Sequence, residues 1–406
     1  MSSVLASPPP DTASAPRAVS RAEALALAEP LARQLAASAV ERDRSGGHAA
    51  HERELIRSSG LLALTVPTAL GGLGASWPAF YAVVRRLAQV DSALAHVFAF
   101  HHLQLAGVVL YGSPGQQQRL LGDTVQKRLF WGNALNPLDK RLRAVDAPGG
   151  YRLDGVKSFA SGSIGSDRLT ISAWHEPSQT ALIASLPTAT EGVLVHADWD
   201  AFGQKQTDSG TVGFDHVLLA HDDVLQAPGV VATARATLRS QVAQLIMANL
   251  YLGIAQGALD EARRYSVEEA RPWFLSGVPS SVEDPYVQHR YGELWLLARP
   301  AEVLADAAAE TLQHALDRGD ALTAAERGHV AIAVAEAKAL SHRAAIEISS
   351  QLFDATGARS TSGRFGLDRF WRNARVHTLH DPIDYKLRDL GRFVLTGAFP
   401  EPTPYS

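Results

Sequence analysis

Three segments with different apolar spacing predict a mixed α+β chain: a helical N-terminal domain, a small antiparallel sheet or barrel, and an up-down bundle of four long helices. Apolar residues recur at helical spacing over roughly 20–127, alternate over about 128–232, and return to helical spacing over about 233–395. The 406 residues exceed the size at which one core usually stops growing, so several domains are expected. The opening "MSSVLASPPPDTASAPRAVS" lacks a basic start followed by an apolar core, so residues 1–19 read as a disordered tail. Residues 396–406 read as a second tail.

Each element has a local signature. Ser20 with Glu23 three residues later is a capping box that opens the first helix, and Pro30 predicts a kink or early stop within it. "HERELIRSSGLLAL" is a second amphipathic helix, "TVPTALGGLGAS" a Gly-rich turn, and "WPAFYAVVRRLAQVDSALAHVFAFHHLQLAGVVLYG" two further helices. In "GYRLDGVKSFAS", Asp154-Gly155 predicts a hairpin turn, because a tight turn needs positive φ angles. "RLTISAW", "TALIASLP", "GVLVHADW" and "TVGFDHVLLAH" follow as short strands. Beyond them, helices are expected at about 233–268, 285–317, 324–353 and 367–394. Asp284-Pro285 opens the second of these and the Thr323/Glu326 capping box the third. Short connections between them argue for an up-down bundle.

Composition narrows the function classes. A net charge of -4 without a Lys/Arg cluster gives no footprint for nucleic acid. The chain has no cysteine, which excludes disulfides, thiolate nucleophiles and cysteine-based metal sites and fits a cytoplasmic setting. No metal-ligand set is expected, and no run of 18 apolar residues predicts a membrane span. Gly71-Gly72-Leu73-Gly74 follows no strand, so it reads as a turn and not as a dinucleotide fingerprint.

The C-terminal stretch "RVHTLHDPIDYKLRDLGR" raises the functional question. It starts and ends like a helix, yet Pro382 cannot continue one, so the chain should break there with Asp381 capping the next helix. His380 at such a junction can point into a cleft, and imidazole titrates at about 6.5, so it can hold or release a proton near neutrality. His377, one turn earlier, reads as a structural neighbour.

Four further stretches carry a resemblance. "SSGLLALTVPTALGGLGAS", "GVKSFASGSIGSDRL", "AFGQKQTDSGTVGFDHVLL" and "RPWF" (Arg271 to Phe274) resemble, in that order over most of the chain, the acyl-CoA dehydrogenase superfamily. Two departures stand out. "LHDPIDYK" occupies the place of that family's catalytic glutamate, and "NALNPLDKRLRA" the place of its Gly-Ser-Asp loop. "FWGNALNPLD", "ARPWF", "DRFWRNARVHTLHDPIDYKLRDLGR" and "PEPTPYS" are instead similar to the reduced-flavin-dependent monooxygenases of the same fold, of the dibenzothiophene monooxygenase and sulfur-acquisition type.

That resemblance implies reduced FMN supplied by a separate flavin reductase, with FAD the lesser candidate, and O2 as co-substrate. It also implies a C4a-hydroperoxyflavin that oxygenates a small apolar, sulfur-containing compound, and a homotetramer. His380, Ser161 and Asn133 are then the catalytic candidates. Arg271, Phe274, Ser161, Ser163, Ser209, Arg359 and Asp381 are the cofactor-binding candidates. His101, His102 and Trp131 are expected to line the substrate pocket. The rival readings are an N-hydroxylating monooxygenase of the same fold and an acyl-CoA dehydrogenase with a relocated base such as Glu269 or Asp384.

Overall fold

The computed structural model describes residues 17–406, so most of the expected N-terminal tail lies outside the described residues. Helices α1 (Arg21–Ser45), α2 (Ala50–Ser58), α3 (Trp77–Val90), α4 (Ser92–Tyr111) and α5 (Pro114–Lys127) come first. The Ser20/Glu23 capping box is present, and a second one, Ser113 with Gln116, opens α5. Pro30 neither stops nor splits α1. It sits on the exposed face, where the carbonyl of Ala26, left without its helical donor, can be met by water.

The central strands are β1 (Trp131–Ala134), β2 (Arg143–Ala147), β3 (Gly150–Lys157), β4 (Arg168–His175), β5 (Thr180–Pro187), β6 (Val193–Val195), β7 (Val212–Ala220) and β8 (Val224–Gln226). They form one sheet in the order β6-β7-β3-β2-β4-β5-β8, with β1 pairing β4. The sheet is mixed and not purely antiparallel, since β4 pairs in parallel with both β1 and β2. Asp154-Gly155 is not the hairpin turn. Gly155 lies inside β3 at φ 130° at a break in register with β7, and a Cβ there would fall 2.1 Å from the carbonyl oxygen of Arg141. The glycine marks a bulge. The β2–β3 turn falls at Pro148-Gly149 instead, with Gly149 at φ 78°.

The C-terminal part consists of α6 (Leu238–Glu268), α7 (Pro285–Asp317), α8 (Ala324–Thr356), α9 (Asp368–Thr378) and α10 (Ile383–Thr396). Asp284 caps α7, and the Thr323/Glu326 box caps α8, as their sequences require. The fourth bundle position is therefore two helices, broken at residues 379–382. Pro382, and not Asp381, is the N-cap of α10, and no side chain caps that end.

One apolar core fills the helices and a second fills the sheet. A third, with Leu105, Val108, Leu121, Trp131, Ile183 and Leu225, joins α4 and α5 to the sheet. That junction fixes the strand carrying Asn133 against α4. By length and composition α4 and α6 could each cross a membrane, but 94% and 83% of those windows are buried inside the fold, as suits core helices.

Candidate active site

A cavity of about 770 Å³ opens where the sheet meets α4, α6 and the α9–α10 break. One wall is helical, with His96, Phe100, Leu103 and Tyr111 from α4 and Arg239, Ala243, Gln244 and Met247 from α6. The other belongs to the sheet and its loops, with Asn133, Ser161, Trp199, Thr207 and Ser209. His377, His380 and residues 402–405 complete it. Ser406 anchors this last stretch, its carbonyl accepting from Ser240 and from the Arg327 guanidinium. Among the described residues that line the cavity there is no Asp, Glu or Lys, and Arg239 is the one arginine.

Three imidazoles stand together at the helical end. The His96 ring stacks on Phe100 at 3.9 Å and lies 4.8 Å from His377. His377 Nδ1 accepts from the Gln204 amide at 3.2 Å, which leaves Nε2 carrying the hydrogen without a partner. Both nitrogens of His96 are also unpartnered. Burial pushes the His377 imidazole down to about 3 and His96 well below its ordinary value, with the neighbouring histidines adding to both shifts. These rings are neutral near pH 7. A buried polar atom without a partner is costly, so their free nitrogens point to a ligand as the missing partner.

His380 differs, because its side chain is 40% exposed and one nitrogen is held. Nδ1 lies 2.9 Å from Asp381 Oδ1, and the same oxygen accepts from the buried Lys338 ammonium at 2.6 Å. Burial alone would raise the Asp381 carboxyl, but the His380 hydrogen bond and the Lys338 charge outweigh it and hold the group well below the usual carboxylate range. The carboxylate thus takes the Nδ1 hydrogen and leaves Nε2 free for proton exchange. Asp381 is spent on this pairing and does not itself line the cavity. The chain break at Pro382 places the imidazole here, since a continuous helix would have run past it.

On the sheet wall a row of hydroxyls has a definite sense. Thr207 Oγ1 donates to the Gln204 carbonyl at 3.0 Å. Ser209 Oγ lies 2.7 Å from Thr207 Oγ1, and Ser161 Oγ lies 2.8 Å from Ser209 Oγ. A carbonyl ends the row, so the hydrogens run toward it and Ser161 Oγ is left with lone pairs to offer. The Asn133 N–H donates to the Ser161 carbonyl at 2.8 Å, which ties β1 to this serine.

Asn133, Ser161, Ser209 and His380 thus share one cavity, whereas the other expected site residues lie elsewhere. His101 and His102 do not line it, and all their ring nitrogens are committed. His101 bonds the Leu62 carbonyl and accepts from the Trp131 N–H, while His102 bonds the Leu61 carbonyl and Thr65. Trp131 is buried between α5 and the sheet, its indole N–H donating to Thr124. Ser163 is fully buried, with its hydroxyl on the Asp208 carbonyl. Arg271 and Phe274 are on the α6–α7 loop, where Phe274 is exposed, and Arg359 is exposed after α8; none of them reaches the cavity of its own chain.

His96, Gln204 and Arg239 were not expected, and His377 was read as structural. A signal for His96 exists in the sequence: His96, Phe100, Leu103 and Tyr111 recur at helical spacing and form the stripe of α4 that faces the cavity, while His101 and His102 fall on the opposite face.

Residues 22–128 match the acyl-CoA dehydrogenase N-terminal domain and residues 245–385 its C-terminal domain. A Pseudomonas putida protein named "probable FMNH2-dependent monooxygenase SfnC" is 47% identical over 94% of this chain and 97% of its own length. The chain belongs to the acyl-CoA dehydrogenase family. Its place is among the FMNH2-dependent monooxygenases of that fold. The structure of methanesulfinate monooxygenase MsuC from Pseudomonas fluorescens superposes with a TM-score of 0.92 at 47% identity, covering 94% of this chain and 99% of that one. FMN-bound TdsC from Paenibacillus sp. A11-2 gives a TM-score of 0.91 at 41% identity, covering 95% and 100%.

Proposed function

We propose that the chain oxygenates a small sulfur-containing compound with O2 and reduced FMN delivered by a separate flavin reductase, with His380 managing the proton at the reacting oxygen. The composition of the cavity wall carries this reading. Imidazoles, hydroxyls and amides line it and no Asp or Glu does among the described residues, so the carboxylate base expected of an acyl-CoA dehydrogenase has no counterpart on the wall. The same absence counts against an amine substrate, whose buried ammonium would want a carboxylate partner.

The residues present fit a flavin. A volume of about 770 Å³ is ample for a fused ring with a small substrate beside it, and Trp199 and Phe202 give it aromatic walls. Asn133, Ser161 and the unpartnered amide oxygen of Gln204 would hold the ring, and Ser161 is disposed to accept from an N–H. Reduced FMN, when bound, supplies the two electrons that let one atom of O2 pass to the substrate while the other leaves as water. The protein's part is to exclude water, orient the substrate and hold a proton at His380 Nε2 where the leaving oxygen needs it.

The chain is read as a homotetramer in the cytoplasm. Trp295, Leu296 and Val303 on α7 and Val394 and Leu395 on α10 are exposed apolar side chains that self-association would cover. In such an assembly the exposed loop with Arg271 and Phe274 is free to reach a neighbouring copy's flavin phosphate. Turnover under 18O2 with reduced FMN and a reductase tests the reaction. One 18O atom is expected in the sulfur product, and label found only in water or hydrogen peroxide would refute it.

A further inference from the structure

Lys338 lies in the middle of α8 with its side chain 1% exposed, and it does not itself line the cavity. Its ammonium makes two bonds of 2.6 Å, one to Asp381 Oδ1 and one to Gln244 Oε1. A buried ion pair is weak support for a fold, since apolar side chains of the same volume often pack as stably. The two bonds instead fix what faces the cavity. An ammonium has hydrogens to give and no lone pair, so the Gln244 atom against it must be the amide oxygen. That turns the amide nitrogen away from Lys338. Gln244 lines the cavity, and among the described residues its Nε2 donates to nothing. A donor buried without a partner points to a ligand. On the other arm, Asp381 Oδ1 takes the His380 Nδ1 hydrogen as well, so His380 offers Nε2 to the same cavity.

We propose that Lys338 is a positioning residue for oxygen transfer: a single buried ammonium aims the His380 imidazole, through Asp381, and the Gln244 amide N–H at one substrate. The inference rests on the oxygenase reading above and adds two residues to it. The oxygen that sulfur gains carries negative charge in the product. A fixed N–H beside it is worth more than a mobile one, because it needs no reorganisation as the charge arrives. His380 meanwhile exchanges the proton of the oxygen that leaves as water. The other titratable groups around the cluster are Tyr251 on α6, His342 on α8, Lys386 on α10, Tyr405, and His377 and His96 across the cavity. Lys386 is committed to the Tyr405 carbonyl, and burial keeps the two phenols and three imidazoles neutral near pH 7. Among the described residues Lys338 is thus the cation that shares Asp381 with His380.

Two substitutions separate positioning from packing. Asp381→Asn leaves the Lys338 charge buried without a counter-ion, so a lysine that only packs would make K338M/D381N better than D381N in every respect. Under the proposal the double variant melts higher than D381N yet yields several-fold less oxygenated product per O2, because Gln244 has lost its hold. Gln244→Leu should cause the same several-fold loss in the wild-type background and none in K338M/D381N. These assays use reduced FMN with thioanisole, benzothiophene and benzenesulfinate. Histidine-selective 15N NMR supplies a readout without flavin, with His380 assigned by difference from His380→Gln. In Lys338→Met the His380 titration should move higher by about one pH unit or more, since Asp381 no longer shares its charge. A titration unmoved in K338M overturns the proposal, as does coupling in K338M/D381N equal to or above that of D381N. A shifted titration in a protein that oxygenates no sulfur compound would keep Lys338 as the support of His380 and sink the oxygenase reading instead.

Discussion

Two groups of histidines on the same helical scaffold differ only in what their nitrogens touch. His101 and His102 are buried and neutral, and so are His96 and His377, with burial lowering all four. In the first pair every ring nitrogen bonds a carbonyl, a hydroxyl or a backbone N–H, so the rings staple α4 to the segment from Leu61 to Thr65 and to β1. In the second pair three ring nitrogens have no partner and the rings face a cavity. A depressed pKa therefore does not separate the cavity-lining pair from the stapling pair. Vacancy of the hydrogen-bonding positions does.

The contrast predicts opposite outcomes for the same substitution. His101→Leu strands the Leu62 carbonyl and the Trp131 N–H, which should cost about 2–5 kcal/mol in denaturant unfolding while the surviving folded fraction keeps its turnover. His96→Leu removes two unpartnered nitrogens, so stability should hold or rise while coupled oxygenation falls; a large loss of stability in that variant would place both groups in one class. Titration gives the next test. The folded rings stay neutral where the unfolded chain binds protons, so stability should be complete above about pH 6.5 and decline as pH falls toward about 4, by about 1.4 kcal/mol per pH unit for each ring. His96→Leu should flatten that slope by one ring's share, and an unchanged slope would show that His96 takes a proton in the fold. Ser161→Ala gives the smallest effect, a loss of about 1 kcal/mol in reduced-FMN affinity measured by anaerobic titration.

Much of the fold was legible because its signals are local. Capping boxes at Ser20 and Thr323, the Asp284-Pro285 start and the break at Pro382 each depend on a few adjacent residues. Asp154-Gly155 misled because a glycine with positive φ serves a bulge as well as a turn, and only the register between β3 and β7 separates the two. The sheet's parallel pairs were hidden for a similar reason, since alternation along a strand says nothing of its neighbour's direction.

At the site, His380, Ser161, Ser209 and Asn133 could be named from motifs, and the structure gathers them around one cavity. Arg239 could not be found that way. It reads as one more arginine near a helix start, and only three-dimensional packing puts it in the cavity wall.

The central claim is that an imidazole, held by a carboxylate outside the cavity, governs what happens to oxygen within it. Oxygen consumption, hydrogen peroxide release and sulfur product should be measured together for wild type and His380→Gln, each supplied with reduced FMN. Wild type should convert most of the O2 it consumes into oxygenated product, while His380→Gln, folded and flavin-binding, should consume O2 and release hydrogen peroxide with product reduced by about a hundredfold or more. Coupled product formation in His380→Gln at the wild-type level would contradict the account.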